Sequence, residues 1–236
     1  MRMLVVCAVA DEARAVVRRL GATTKTAIGP YQHAVTGRAG EVSFIVMVSG
    51  VGEAAAASAT ATALSLDPRI DLAISAGIAG GFSPRIAVGA VAIADHITAV
   101  DLGAEEPGSP GSRIPLSAMG YEGGHISCDA KLVRRAAALT NATVGAILTV
   151  STITASEERI GDLARNHPTA VAEAMEGHGV AVAAAAHDRA FLELRTISNP
   201  VGVRDIATWS TTEALDSLTA ASYALISSES SSRLLR

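Results

Sequence analysis

Aromatic residues are scarce in this chain of 236 residues: three Phe, three Tyr and one Trp, 3% in all. A surface that stacks single-stranded bases needs more of them. The formal net charge of -4 also leaves no general excess of cations for a phosphate backbone, so nucleic acid is not an expected partner. Charged residues reach only 18% against 49% hydrophobic, which excludes extended disorder away from the ends. Two cysteines, Cys7 and Cys128, make no disulfide framework and no metal-type cluster. Cys7 lies in an apolar run and reads as a small core residue. No apolar run is long enough to span a bilayer. The run Met3 to Ala10 meets Asp11-Glu12 too soon for a signal peptide. The expectation is a soluble, cytoplasmic protein without a membrane partner.

What the chain does have is alternation. Met3 to Ala10 reads as a strand buried on both faces, and Asp11 to Leu20 as a helix closed by Gly21. Val35 to Gly37 and Val42 to Val48 read as a hairpin, and Glu53 to Leu66 as an Ala-rich helix. Strands are expected at 71–75, 89–97, 143–150 and 190–194. Helices are expected at 129–140, 157–165, 177–187 and 212–227. Residues 102–125, rich in Gly, Pro and Ser, read as one long loop, which in a compact domain is functional or mobile. The pattern predicts a single α/β domain over 1–236 with a largely parallel sheet covered on both faces, and a frayed tail from 227 to 236.

The polar residues of interest gather where strands give way to loops, which is where open α/β sheets bind ligands. Ser49-Gly50-Val51-Gly52 and Gly77-Ile78-Ala79-Gly80-Gly81 each follow a strand. Glycine there permits a positive φ and a close backbone approach to a ligand; each run alone reads more readily as a tight turn. Neither has the dinucleotide G-x-G-x-x-G spacing. Asp11-Glu12 offers a general base for water, or an acidic first helical turn. Met175-Glu176 offers a carboxylate for two adjacent sugar hydroxyls, or a helix start. Arg195 to Asp205 is expected to run from the strand ending at Leu194 into a polar loop holding Ser198, Asn199, Arg204 and Asp205, which is also good turn chemistry. The six histidines show no ligand spacing; His96 with Asp101 is the only suggestive pair.

Together these segments resemble the purine nucleoside phosphorylase/nucleosidase superfamily, from Leu4 to about Leu215 and in the right order. The likeness is strongest to the methylthioadenosine/S-adenosylhomocysteine nucleosidases. It implies a three-layer α/β/α nucleoside phosphorylase-like fold with a central, mostly parallel mixed sheet. It implies Glu12 as the residue that orients the attacking water, and Gly80 in the glycine run near the ribosyl centre. Ile78 stands where that run usually has Ser. Ile153 and Thr154 would lie beside the base. Ala174-Met175-Glu176 resembles Glu-Met-Glu with its first Glu lost, which leaves Met175 and Glu176 for the ribose. Arg195 to Asn199 resembles Arg-x-Ile-Ser-Asp, with Asn199 in place of the catalytic Asp.

That replacement bears on the base. Asn is no acid, but its amide offers two donors and an acceptor. It can donate to O6 of hypoxanthine and accept from a protonated N7, whereas an adenine amino group would face a donor. Ile-Ser-Asn-Pro-Val-Gly-Val-Arg-Asp at 197–205 and Asp-Leu-Gly-Ala-Glu at 101–105 resemble segments of futalosine hydrolases. The resemblance implies hydrolysis of an N-glycosidic bond, a small-molecule nucleoside substrate, no metal or organic cofactor, and a homodimer or larger homo-oligomer. Arg113 and Arg204 are the candidates for the aromatic carboxylate of such a substrate. The alternatives are a methylthioadenosine/S-adenosylhomocysteine or aminodeoxyfutalosine nucleosidase, a phosphorolytic enzyme, and a nucleoside-binding module without activity.

Overall fold

The computed structural model describes residues 1–108, 113–202, 205–227, 231 and 234–235. The first apolar run forms β1 (Arg2–Cys7), and its alternate side chains explain why the run is continuous. Met3, Val5 and Cys7 bury in one core cluster, and Leu4 and Val6 in another on the opposite face. After it come α1 (Ala10–Val17), β2 (Thr23–Ile28), β3 (Tyr31–Ala39), β4 (Val42–Val48) and α2 (Glu53–Leu66). β5 (Leu72–Gly81), β6 (Val91–Ala99), β7 (Gly103–Glu105), β8 (Arg113–Pro115), β9 (His125–Ser127) and α3 (Ala130–Thr140) follow. The rest is β10 (Thr143–Thr149), α4 (Glu157–Asn166), β11 (Ala170–Ala174), α5 (Gly177–Ala186), β12 (Ala190–Pro200) and α6 (Thr211–Ser227).

The main sheet is mixed, in the order β11-β10-β6-β12-β5-β1-β4-β3-β2, with β9 on β6. Parallel pairings join β1 to β4 and β5, β12 to β5, and β10 to β6 and β11. Antiparallel pairings join β12 to β6, β2 to β3 and β3 to β4. Helices α2 and α5 cover the face carrying Leu4 and Val6, through Ala56, Ala59, Val180 and Ala184. Helices α1, α3 and α6 cover the other through Val16, Leu132 and Leu218. These are the three layers expected. Asp129 caps α3 by accepting from the N–H groups of Lys131 (2.9 Å) and Leu132 (2.8 Å), which satisfies donors a helix start leaves open.

One closure positions the site. β1 covers β5 only from Leu72 to Ser75. Beyond that, the free edge of β5 takes β11 in antiparallel pairing, Glu173 opposite Gly80 and Ala172 opposite Gly81. The strands β5, β12, β6, β10 and β11 therefore curl into a closed ring.

Several local expectations change. The run Gly77 to Gly81 is strand rather than turn, and β12 continues to Pro200, so Arg195 to Asn199 is not a polar loop. Tertiary crowding decides this: a Cβ at Gly81 would lie 2.7 Å from Ile197 Cγ2 and 2.8 Å from Ile86 Cγ2. Residues 102–125 are not one loop, because β7 and β8 pair and β9 joins β6. β2 and β11 are additional strands. In the tail, Leu234 is buried against the core and its carbonyl accepts from Arg135 at 3.1 Å, so this part of the expected fray is docked.

Candidate active site

A cleft of about 780 Å³, counted out to its mouth, opens at the C-terminal ends of β1, β5, β11 and β12. Its geometry begins with Glu12, the third residue of α1, which points back under the helix start. One carboxylate oxygen accepts from the N–H groups of Ala8 (3.0 Å) and Val9 (3.2 Å), and the other from Ile78 N–H in β5 (2.9 Å). This is a helix-start carboxylate, as the local pattern suggested, but it also reaches across to a neighbouring strand. Gly77 makes the approach possible: a Cβ there would lie 2.3 Å from Glu12 Oε1 and 2.8 Å from Arg195 Nη1. Burial pushes the pKa of Glu12 up. The Arg195 charge and the Ile78 N–H act in the opposite sense.

Arg195 lies beneath the cleft, 1% exposed. It donates to Glu193 (2.9 Å), Ser75 Oγ (2.9 Å) and Glu176 (3.1 Å). Burial opposes its charge, but Glu193, Glu176 and Glu12 hold the guanidinium charged. The other oxygen of Glu176 accepts from Gly52 N–H at 3.1 Å. Gly52 has φ 99°, a left-handed conformation that suits glycine, and it turns the N–H toward this carboxylate. Met175 precedes Glu176 on the same wall.

The far end of the cleft is built from β11, β12 and the segment after β10. Asn199 sits beyond a bulge in β12: Ile197 pairs with Ala79 and Asn199 with Gly80, which leaves Ser198 as the extra residue. Asn199 Oδ1 accepts from Ser198 Oγ (2.7 Å), and Nδ2 donates to the Pro200 carbonyl (2.9 Å). That leaves one amide N–H and one lone pair free for a ligand. Opposite it, Glu173 is buried and accepts from Thr154 N–H at 2.9 Å and from Thr154 Oγ1. Burial raises its pKa, and the two Thr154 donors counter that. Ile153, exposed at the mouth, and Trp209 complete this end.

Of the residues singled out in the sequence, Glu12, Gly80, Ile153, Thr154, Met175, Glu176 and Asn199 all line this one cleft. Arg113 does not. It lines an adjoining depression with Thr152 and Arg159, which shares Ile153 and Thr154 with the cleft. Arg204 lies outside the described residues. Asp11 is exposed and pairs with Arg14, and Asp205 caps a short 3-10 turn through Ala207 N–H. The suggested pairing of His96 with Asp101 is not formed. His96 meets Asp95 at 2.7 Å, and Asp101 meets Arg159 at 2.7 Å. Sequence reasoning assigned no role to Arg195 or Glu173. The available signals were a cation following the apolar run at 190–194 and a carboxylate inside the apolar stretch Ala170 to Ala174.

A model of the phosphorylase superfamily matches residues 2–227. A futalosine hydrolase of Streptomyces coelicolor is 49% identical over 178 residues, 74% of this chain and 74% of the relative. Another, of Acidothermus cellulolyticus, is 39% identical over 231 residues, 95% of this chain and 90% of the relative. Among solved structures, the S-adenosylhomocysteine nucleosidase of Streptococcus pyogenes, in complex with 5-methylthiotubericidin, is similar with a TM-score of 0.80 at 22% identity. That match covers 96% of this chain and 95% of the solved one, and shows the same fold.

Proposed function

The chain belongs to the phosphorylase superfamily and is a nucleosidase, and from that premise we propose that it hydrolyses the N-glycosidic bond of futalosine. The products are hypoxanthine and dehypoxanthine futalosine, and the setting is the alternative menaquinone pathway. The observation that carries this reading is the placement of Glu12 and Asn199 in one cleft, with Glu176 between a buried arginine and the cavity.

Glu12 acts as the base that orients and deprotonates water; three backbone N–H groups take three of its about four lone-pair sites and leave one for the water. Glu176 accepts from the ribose hydroxyls while Arg195 and Gly52 fix its rotamer, and Met175 packs on the sugar. As the bond to the base lengthens, the sugar gains oxocarbenium character and the purine gains electrons. Asn199 donates to O6, and when N7 takes a proton from solvent its carbonyl accepts from N7–H, which stabilises the leaving base where its charge develops. The pair Glu12–Ile78 also favours water over phosphate. The N–H that could receive an anion is already bound to a carboxylate, which repels one. Arg113, beside Ile153 and Thr154, is the candidate for the aromatic carboxylate of the substrate, and Arg204 the second. The reading includes a cytoplasmic homo-oligomer. Exposed Val51 and Val182, which line a shallow apolar depression beside the sugar end, support a neighbouring subunit there.

The test is to incubate the purified protein with futalosine in ¹⁸O-labelled water, with and without phosphate. Release of hypoxanthine with one ¹⁸O in the sugar product, unaffected by phosphate, is expected. A sugar 1-phosphate, or no reaction without phosphate, would overturn the hydrolytic reading.

A further inference from the structure

Two buried polar residues near the sugar end take no part in the steps above. Glu193 in β12 is 0% exposed and His178 in the first turn of α5 is 3% exposed, and neither lines the cleft. Each keeps a buried atom, Glu193 Oε2 and His178 Nε2, without a hydrogen-bond partner among the described residues. An apolar side chain would fill either place at lower cost, so packing alone does not account for them. What they share is Glu176. One oxygen of Glu176 accepts from Arg195 Nη2, and the other from Gly52 N–H. Glu193 stands behind the first donor and His178 behind the second.

On the first side, Glu193 Oε1 accepts from Arg195 Nε at 2.9 Å. The guanidinium is a rigid planar fork, so holding its Nε edge fixes where Nη2 points. Glu193 is itself wedged against α5: a Cβ on Gly177 would overlap Oε2. Burial raises the pKa of Glu193, and the charges of Arg195 and, less strongly, His178 act against that rise. On the second side, His178 Nδ1 meets Glu53 Oε1 at 2.6 Å, and the His178 backbone N–H donates to Thr149 Oγ1 at 3.0 Å. An ionised carboxylate only accepts, so Nδ1 carries the hydrogen of this contact. Glu53 is the first residue of α2 and directly follows Gly52. The contact therefore ties the start of α2 to the start of α5, whose N-cap is Glu176. Gly179 lets the two helices meet there, because a Cβ on it would overlap the Glu53 carbonyl oxygen.

We propose that Glu193 and His178 are positioning residues for Glu176, Glu193 acting through Arg195 and His178 through Glu53 and Gly52. The inference rests on the reading of Glu176 as the ribose-binding carboxylate and adds what holds that carboxylate in place. A displacement of about 1 Å is enough to lose much of the benefit of a pre-oriented contact. The loss falls on substrates that carry the hydroxyl Glu176 receives.

The test compares kcat/KM for futalosine and 2′-deoxyfutalosine, followed by released hypoxanthine. The intrinsic effect of removing the hydroxyl is common to all variants and cancels when their ratios are compared. Glu176→Ala sets the ratio for complete loss of the contact. Glu193→Leu leaves Arg195 paired with Glu176, so no buried charge is orphaned. It is expected to lower the ribo-to-deoxy ratio by about 5- to 30-fold, and Glu193→Gln, which keeps an acceptor for Nε, by less. His178→Leu breaks the second side from within, and Glu53→Ala from its partly exposed end; each is expected to lower the ratio by about 3- to 10-fold. Should the buried variants fail to fold, Glu193→Gln and Glu53→Ala carry the test. Equal losses on both substrates, with the ratio unchanged, would mean that Glu193 and His178 only support the fold. That would overturn this inference while leaving the hydrolytic reading intact. An unchanged ratio in Glu176→Ala, or no hypoxanthine from futalosine with the wild type, would overturn the parent reading, and this inference with it.

Discussion

At the sugar end of the cleft, Glu176 and Glu193 share one buried guanidinium. At the base end, Glu173 is bound, among the described residues, by the neutral Thr154 alone, with Arg159 acting through space. The difference matches two chemical tasks. In the proposed reaction the sugar end meets a developing positive charge, and Glu12, Glu176 and Glu193 lie there around one Arg195. The base end, on the same reading, distinguishes a donor from an acceptor on a planar ring, and Asn199 supplies the directional group.

Substitutions should separate the two ends. Glu12→Gln is expected to lower kcat by about 100- to 10,000-fold while hypoxanthine affinity stays near wild type. Steady-state rates together with fluorescence titration check this, and a parallel loss of base binding would contradict the division. Arg195→Met should be costly in another way. It leaves Glu176 and Glu193 buried near each other without a counter-ion, for a loss of about 3–5 kcal/mol of stability measured by denaturant melts. A change below 1 kcal/mol would mean that water reaches the pair. Asn199→Asp should act on base choice. The ratio of kcat/KM for futalosine over its adenine counterpart is expected to fall by about 10- to 100-fold. The smallest effect is on pH. Burial raises the pKa of Glu12, so the proton that disables it binds above the ordinary carboxylate range. The acid limb of kcat/KM should accordingly lie above that range, with activity lost as pH falls through the raised value. A limb at the pKa of a free glutamate would show that solvent reaches Glu12.

Legibility in the sequence followed the range of the forces involved. β1 and α2 were readable because a continuous apolar run and an Ala-rich stretch state their own periodicity. The segment Arg195 to Asn199 resembles a loop locally. It becomes strand because β5 pairs with it residue by residue and β5 itself is opened by glycines. Glu12, Glu176 and Asn199 were identifiable through resemblance to known motifs. Arg195 was quoted within a motif but had no visible partner. Its acids lie at positions 12, 176 and 193, and Ser75 completes its contacts, so only the folded sheet brings them together. Glu173 was hidden for the same reason: its place in the cleft is set by pairing with Gly80, 93 residues away by numbering.

The most direct test of the account is a competition in one tube. Equimolar futalosine and aminodeoxyfutalosine are mixed with the protein in phosphate-free buffer, and the released bases are followed by chromatography. The account predicts that hypoxanthine appears at least about tenfold faster than adenine. Adenine at an equal or higher rate would contradict it, because Asn199 would then not be selecting the base.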